Sequence, residues 1–192
     1  MPQKYVKKIL DARIYDLAVE TPVDAAPLLS QRLNNEILLK REDLQPVFSF
    51  KLRGAYNKLR QLSKAQLEAG VIAASAGNHA QGLALAAQKM GVKATIVMPI
   101  TTPKIKVDAV RGWGANVVLF GDNYDAAAGH ANELIEQHGM TYIHPFDDPD
   151  IIAGQGTVGM EILRQLPGKL DAIFIAVGGG GLCAGVAAYK AT

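Results

Sequence analysis

Short apolar runs alternate with stretches of helical period through the middle of the chain. Residues 71–74, 94–98, 116–120 and 142–144 read as strands. Between them, residues 80–90 form one helical stretch stopped by Gly91, and Thr102-Pro103 opens a second that ends at Gly112. A third runs from Tyr124 to His138-Gly139. Strands and helices alternating at these lengths predict an α/β fold, a parallel twisted sheet with helices on both faces.

The flanks are less regular. Val6, Ile9, Leu10 and Ile14 predict a short amphipathic helix within residues 5–14, and Thr21-Pro22 opens an extended segment. Residues 28–33 read as a short helix and Ile37-Leu38-Leu39 as a strand. Past the regular region, Asp148-Pro149 opens a helix that Met160, Ile162 and Leu166 carry to a stop at Pro167-Gly168. Residues 172–177 then read as a strand, followed by four glycines and a last helix.

Composition narrows the classes. Of 192 residues, 49% are hydrophobic and 20% charged, which suits a soluble globular protein able to bury a core. A net charge of +2 argues against a nucleic-acid or membrane partner. The lone Cys183 cannot form an internal disulfide and reads as a small core residue, and no apolar run follows the basic first residues. A cytoplasmic location is the expectation. The histidines at 79, 130, 138 and 144 lack ligand spacing, so no catalytic metal is expected. Asp147, Asp148 and Asp150 read as an acidic helix start.

Three strings could carry chemistry. In Phe48-Ser49-Phe50-Lys51, Ser49 is a good N-cap, and Leu52, Ala55, Tyr56, Leu59 and Leu62 recur at helical spacing, which puts Lys51 in the first turn. The positive end of the helix dipole disfavours a cation there and favours the free amine that a Schiff base needs; the bland alternative is a lysine that snorkels to solvent. Ser75-Ala76-Gly77-Asn78-His79 delivers a strand onto a helix N-terminus, where backbone N–H groups, the Ser75 hydroxyl and the Asn78 amide could bind an anion; the alternative is an ordinary capped turn. His79 at a helix start reads first as a packing or hydrogen-bonding group. Gly178-Gly179-Gly180-Gly181 between strand and helix suits a phosphate. Gly179, Gly181 and Ala184 also match a dinucleotide spacing, as do Gly154, Gly156 and Gly159, the latter with no strand before them.

In this order the three strings resemble the serine/threonine dehydratases, pyridoxal-phosphate enzymes of fold type II, the tryptophan synthase β-like group. The similarity runs from about Leu17 to the end, and the string Lys40-Arg41-Glu42-Asp43-Leu44-Gln45-Pro46-Val47 is most similar to the biosynthetic threonine deaminases. The resemblance implies pyridoxal 5'-phosphate as cofactor, with Lys51 carrying it and removing the substrate Cα proton, and Phe50 packed on its ring. It gives Asn78 a hydrogen bond to the cofactor 3-oxygen, the backbone of Gly178, Gly179, Gly180, Gly181 and Leu182 its phosphate, and Ser75, Ala76, Gly77, Asn78 and His79 the substrate carboxylate.

The implied reaction converts L-threonine, with L-serine as a further substrate, to 2-oxo acid and ammonia, at the first step of isoleucine biosynthesis, in a homo-oligomer. The similar serine racemases carry a second serine where this chain has Ala76, which implies elimination without appreciable racemisation. On the family pattern residues 1–45 belong to the larger domain, 46–150 form the smaller domain and 151–192 begin the larger one again, truncated before a pyridine-contacting serine and a regulatory domain. An unfinished sheet would expose an edge. Two other classes compete: a non-catalytic remnant or interaction module that keeps the smaller-domain fold, and a dinucleotide-binding oxidoreductase, which leaves Lys51 and the asparagine loop unexplained.

Overall fold

The computed structural model describes residues 2–168 and 170–190. In chain order, helix α1 (Pro2–Leu10) leads to strand β1 (Val23–Ala25), α2 (Pro27–Leu33) and β2 (Leu38–Lys40), and β1 and β2 pair antiparallel. Helices α3 (Lys51–Gln61) and α4 (Lys64–Ala69) precede the alternating region of β3 (Val71–Ala74), α5 (Asn78–Met90), β4 (Ala94–Met98), α6 (Lys104–Gly112), β5 (Asn116–Leu119), α7 (Tyr124–His138) and β6 (Thr141–Tyr142). Helices α8 (Pro149–Gln165) and α9 (Gly181–Lys190) follow.

Strands β3 to β6 form the predicted parallel sheet, in the order β5-β4-β3-β6. All four residues of β3 are buried, because it lies inside the sheet and is covered on both faces. Its side chains divide by the period of two: Val71 and Ala73 join Leu52, Leu59, Leu83 and Ile96 in one core, and Ile72 and Ala74 join Val97, Ala127 and Ala131 in another. The first core packs against α3 and α5 and the second against α7. From β3 the chain first adds β4 and β5 on one side and then returns to place β6 on the other. The order therefore reverses beside β3, and in open α/β sheets the crevice at the carboxyl ends of the strands at such a point is where ligands bind.

A second layer holds α3 in place. Helix α8 crosses α3 where glycine faces glycine: a Cβ on Gly154 would lie 2.6 Å from the Arg53 carbonyl oxygen, and one on Gly54 2.8 Å from that of Ile151. Only hydrogen at both positions permits this approach. Gly156 likewise meets the backbone of Gly185 on α9, so the second glycine set of α8 serves helix packing, in keeping with the absence of a strand before it.

Beside the crossing, Arg53 is wholly buried and donates to Glu42 at 2.7 and 2.8 Å, to Glu161 at 2.5 and 3.0 Å, to Thr157 Oγ1 at 3.1 Å and to the Val19 carbonyl at 3.2 Å. Lys40 pairs with Glu161 at 2.7 Å and the Tyr15 hydroxyl donates to it at 2.8 Å. A buried guanidinium needs such partners. The network ties residues 15–42 to α3 and α8.

The sheet and its flanks depart from the sequence expectations in places. Residues 172–177, expected as a strand, form no strand and join no sheet among the described residues. The alternation is present, since Ile173 and Ile175 pack on the α8–α9 cluster while Phe174 is 95% exposed, but alternation specifies an extended chain and not its ladder partner. The strand expected over 142–144 is paired only at Thr141–Tyr142, with one further bond from the Ile143 N–H to the Ile72 carbonyl. Helix α4, unforeseen, is opened by a capping box in which Ser63 and Gln66 satisfy each other's backbone N–H groups.

Candidate active site

Helix α3 begins at Lys51 itself. Phe50 takes the position before it with helical backbone angles, φ −64° and ψ −14°, and the Ser49 hydroxyl, expected to cap, is buried with no hydrogen-bond partner among the described residues. Phe48, at φ 55°, turns the chain into this helix through a conformation rare for an aromatic residue. The Lys51 amine is half-buried. It donates to the Pro145 carbonyl at 2.7 Å and stands 5.5 Å from the centre of the Phe50 ring. Burial lowers its pKa below the ordinary lysine value. The helix terminus predicted the same direction, but burial is the cause in the fold.

Opposite Lys51 lies the glycine turn. Residues 178–181 run into α9, with Gly180 at φ 86°, and together with Leu182, Cys183, Phe50, Lys51 and Phe146 they line a cavity of about 280 Å³. Cys183, expected in the core, is half-buried on this cavity wall. The Phe146 ring lies so close to Gly179 that a Cβ there would collide with it, and the Phe146 carbonyl would be 2.7 Å from a Cβ on Gly181. Phe146 was not singled out in the sequence.

The loop between β6 and α8, residues 143–147, links these parts. His79 is buried and its Nε2 donates to the Ile143 carbonyl at 2.8 Å. Burial, with a smaller contribution from the Lys51 charge, pushes the imidazole pKa down to about 4, so it is neutral at physiological pH. The remainder of the second string sits at the carboxyl end of β3, beside the reversal in strand order. There the Ser75 hydroxyl accepts from the Gly77 N–H at 3.3 Å, and Asn78 opens α5. One turn further on, a Cβ on Gly82 would meet the Leu52 nitrogen at 2.8 Å, so the start of α5 lies directly against the start of α3.

The residues that the sequence singled out therefore fall into two groups. Phe50, Lys51 and Gly178 to Leu182 surround one cavity, and Ser75 to His79 occupy the adjoining sheet end, joined to the cavity by the 143–147 loop.

Such a cavity suits a phosphorylated aldehyde. A half-buried amine of lowered pKa faces glycines with room for a phosphate at the N-terminus of a ten-residue helix, and no acidic side chain lines the space among the described residues. Residues 14–192 match the family described as pyridoxal-phosphate dependent enzyme. The chain belongs to this family.

Among its relatives, the biosynthetic chloroplastic threonine dehydratase of Arabidopsis thaliana is 61% identical over 186 residues, covering 97% of this chain and 31% of its own length. The chain thus spans about a third of that curated relative. Among solved structures, the processed form of threonine deaminase isoform 2 from Solanum lycopersicum superposes with a TM-score of 0.95 at 56% identity, covering 98% of this chain and 52% of that one. Maize serine racemase follows with a TM-score of 0.93 at 35% identity, covering 97% and 57%. These matches give the fold as that of the pyridoxal-phosphate enzymes, with pyridoxal phosphate as the family cofactor. They do not select a compartment, since relatives include chloroplastic and mitochondrial enzymes.

Proposed function

We propose that this chain carries the cofactor-holding lysine and the substrate loop of a threonine deaminase, which converts L-threonine to 2-oxobutanoate and ammonia. The observation that supports it best is the placement of Lys51: its half-buried amine, of lowered pKa, faces the glycine turn across the cavity. When bound there, pyridoxal phosphate supplies an electron sink for the bond that breaks at the substrate Cα. The chain's residues do the rest. Lys51 holds the cofactor and takes the Cα proton, and Phe50 packs on the ring. The backbone N–H groups from Gly178 to Leu182 hold the phosphate, Asn78 holds the 3-oxygen, and Ser75 with the loop to His79 holds the substrate carboxylate. His79, turned to Ile143, acts in that loop through its backbone.

Pyridoxal phosphate added to the purified chain, followed by borohydride reduction and peptide mapping, is expected to label Lys51. A folded chain labelled only on exposed lysines would support the non-catalytic remnant instead. Ala76 leads to a separate expectation: it offers no acid to the face of the substrate opposite Lys51, so any L-serine turnover should form pyruvate with at least about tenfold preference over D-serine, a margin that general acid catalysis readily supplies. D-serine appearing as fast as pyruvate would overturn that role.

A further inference from the structure

We propose that His144 is a positioning residue: its Nδ1 builds the turn that seats Phe146 on the glycines and aims the Pro145 carbonyl at Lys51. The Phe146 N–H at 3.2 Å and the Asp147 N–H at 2.7 Å both point to this nitrogen. Backbone N–H groups only donate, so Nδ1 presents its lone pair and the ring proton is on Nε2. The ring also stands edge-on to Phe146, with centroids 4.6 Å apart and planes at 82°, and to Tyr142 at 6.2 Å and 73°. One imidazole thus fixes both the backbone and the side chain of Phe146.

The need for it lies in the local sequence. Pro145 has no N–H, and the loop has left the sheet at Ile143, so Phe146 and Asp147 have no ladder to join. The His144 side chain stands in for that ladder. Its effect reaches the site because Phe146 lines the same cavity as Lys51 and the glycine turn: it lies against Gly179 and Gly181, while its neighbour Pro145 accepts from the lysine amine. None of this requires His144 to exchange a proton with substrate, which distinguishes positioning from catalysis.

The test compares His144→Asn, whose Oδ1 takes the place of Nδ1, with His144→Ala, which removes the acceptor. Two readouts are made on the whole chain. The first, without cofactor, is the rate at which acetic anhydride acetylates Lys51, with Lys40 as internal control because its side chain is only 10% exposed and lies in the Arg53 network. The second, which rests on the cofactor role proposed above, is the pyridoxal phosphate concentration giving half-maximal borohydride labelling of Lys51. In His144→Ala, Lys51 is expected to react about tenfold faster, the equivalent of one net hydrogen bond, and labelling to need about tenfold more cofactor. Lys40 should be unchanged, and His144→Asn should match the wild type in both. Wild-type acetylation of Lys51 in His144→Ala overturns the proposal, as does His144→Asn behaving like His144→Ala. Lys40 accelerating together with Lys51 also overturns it, since His144 would then be supporting the whole fold. A wild-type chain that takes no cofactor while acetylation follows the expected pattern leaves the positioning role standing and overturns the cofactor role of Lys51.

Discussion

Replacing Lys51 by alanine is expected to abolish borohydride-fixed cofactor at this position and to lower 2-oxobutanoate formation by at least about 10³-fold in any longer chain that carries these residues. A positioned base alone contributes about 10²–10⁴. The same side chain also holds the cofactor, so the loss should exceed that of a base that acts only once. The effect should be chemical rather than structural. Lys51 is part-buried at the rim of the cavity and donates one hydrogen bond, whereas the core of α3 is Leu52, Ala55, Tyr56 and Leu59. Thermal unfolding should therefore stay within a few degrees of the parent, and a small primary amine added to the variant should restore part of the activity. Because burial lowers the Lys51 pKa, acetylation of the parent should already be rising with pH below the ordinary lysine range. Undiminished product formation by Lys51→Ala would remove the lysine from the mechanism.

Glu161→Gln is expected to be the most destabilising single change of one polar group for another. It removes charge but little volume, and leaves Arg53, fully buried, with Glu42 as its remaining carboxylate partner. Breaking a buried pair in this way costs about 3–5 kcal/mol, to be read from urea midpoints at constant slope. The pH dependence gives a second check. Burial alone would raise the Glu161 pKa, but the hydrogen bonds and charge of Arg53, with Lys40 and Tyr15, outweigh it and hold the carboxyl below its ordinary value. A carboxyl with a depressed folded pKa contributes stability above its unfolded value, about 4.3, and loses it as pH falls through the folded one. The parent should therefore lose stability on acidification through that window, and the variant should lose less. A variant within about 0.5 kcal/mol of the parent at neutral pH would mean that the network is neutral to stability, as an ordinary surface substitution is.

What could be read from the chain and what could not differ in range. β3 and α7 fall where apolar period and turn residues put them, because both signals are local. Lys51, Phe50 and the glycine turn were legible as separate strings, and the fold supplies their meeting across one cavity. Ser49 looked like a cap because its residue type favours one, yet a cap also needs extended backbone at the right position, which Phe50 occupies in helical geometry instead. Phe146 and His144 were missed for a different reason. Their importance comes from a turn that follows a very short strand, and no periodic signal marks such a place. The closest clue was His-Pro-Phe directly after an expected strand end. Arg53 and Glu161 lay further out of reach, since each reads as an exposed helical charge until the other is beside it.

The Arg53 network also bears on how the chain assembles during synthesis. Tyr15 and Glu161 are 146 positions apart, and Arg53 and Glu161 are 108 apart. As the chain leaves the ribosome, the sheet from β3 to β6 can form while the guanidinium still has only half of its carboxylate partners and no reason to give up water. Residues 15–42 therefore dock only after α8 has been made, and until then an early folding unit would carry a hydrated Arg53 on the helix that begins with Lys51. Ordering of the lysine helix therefore waits for α8, and contacts of such long sequence separation are slow to close.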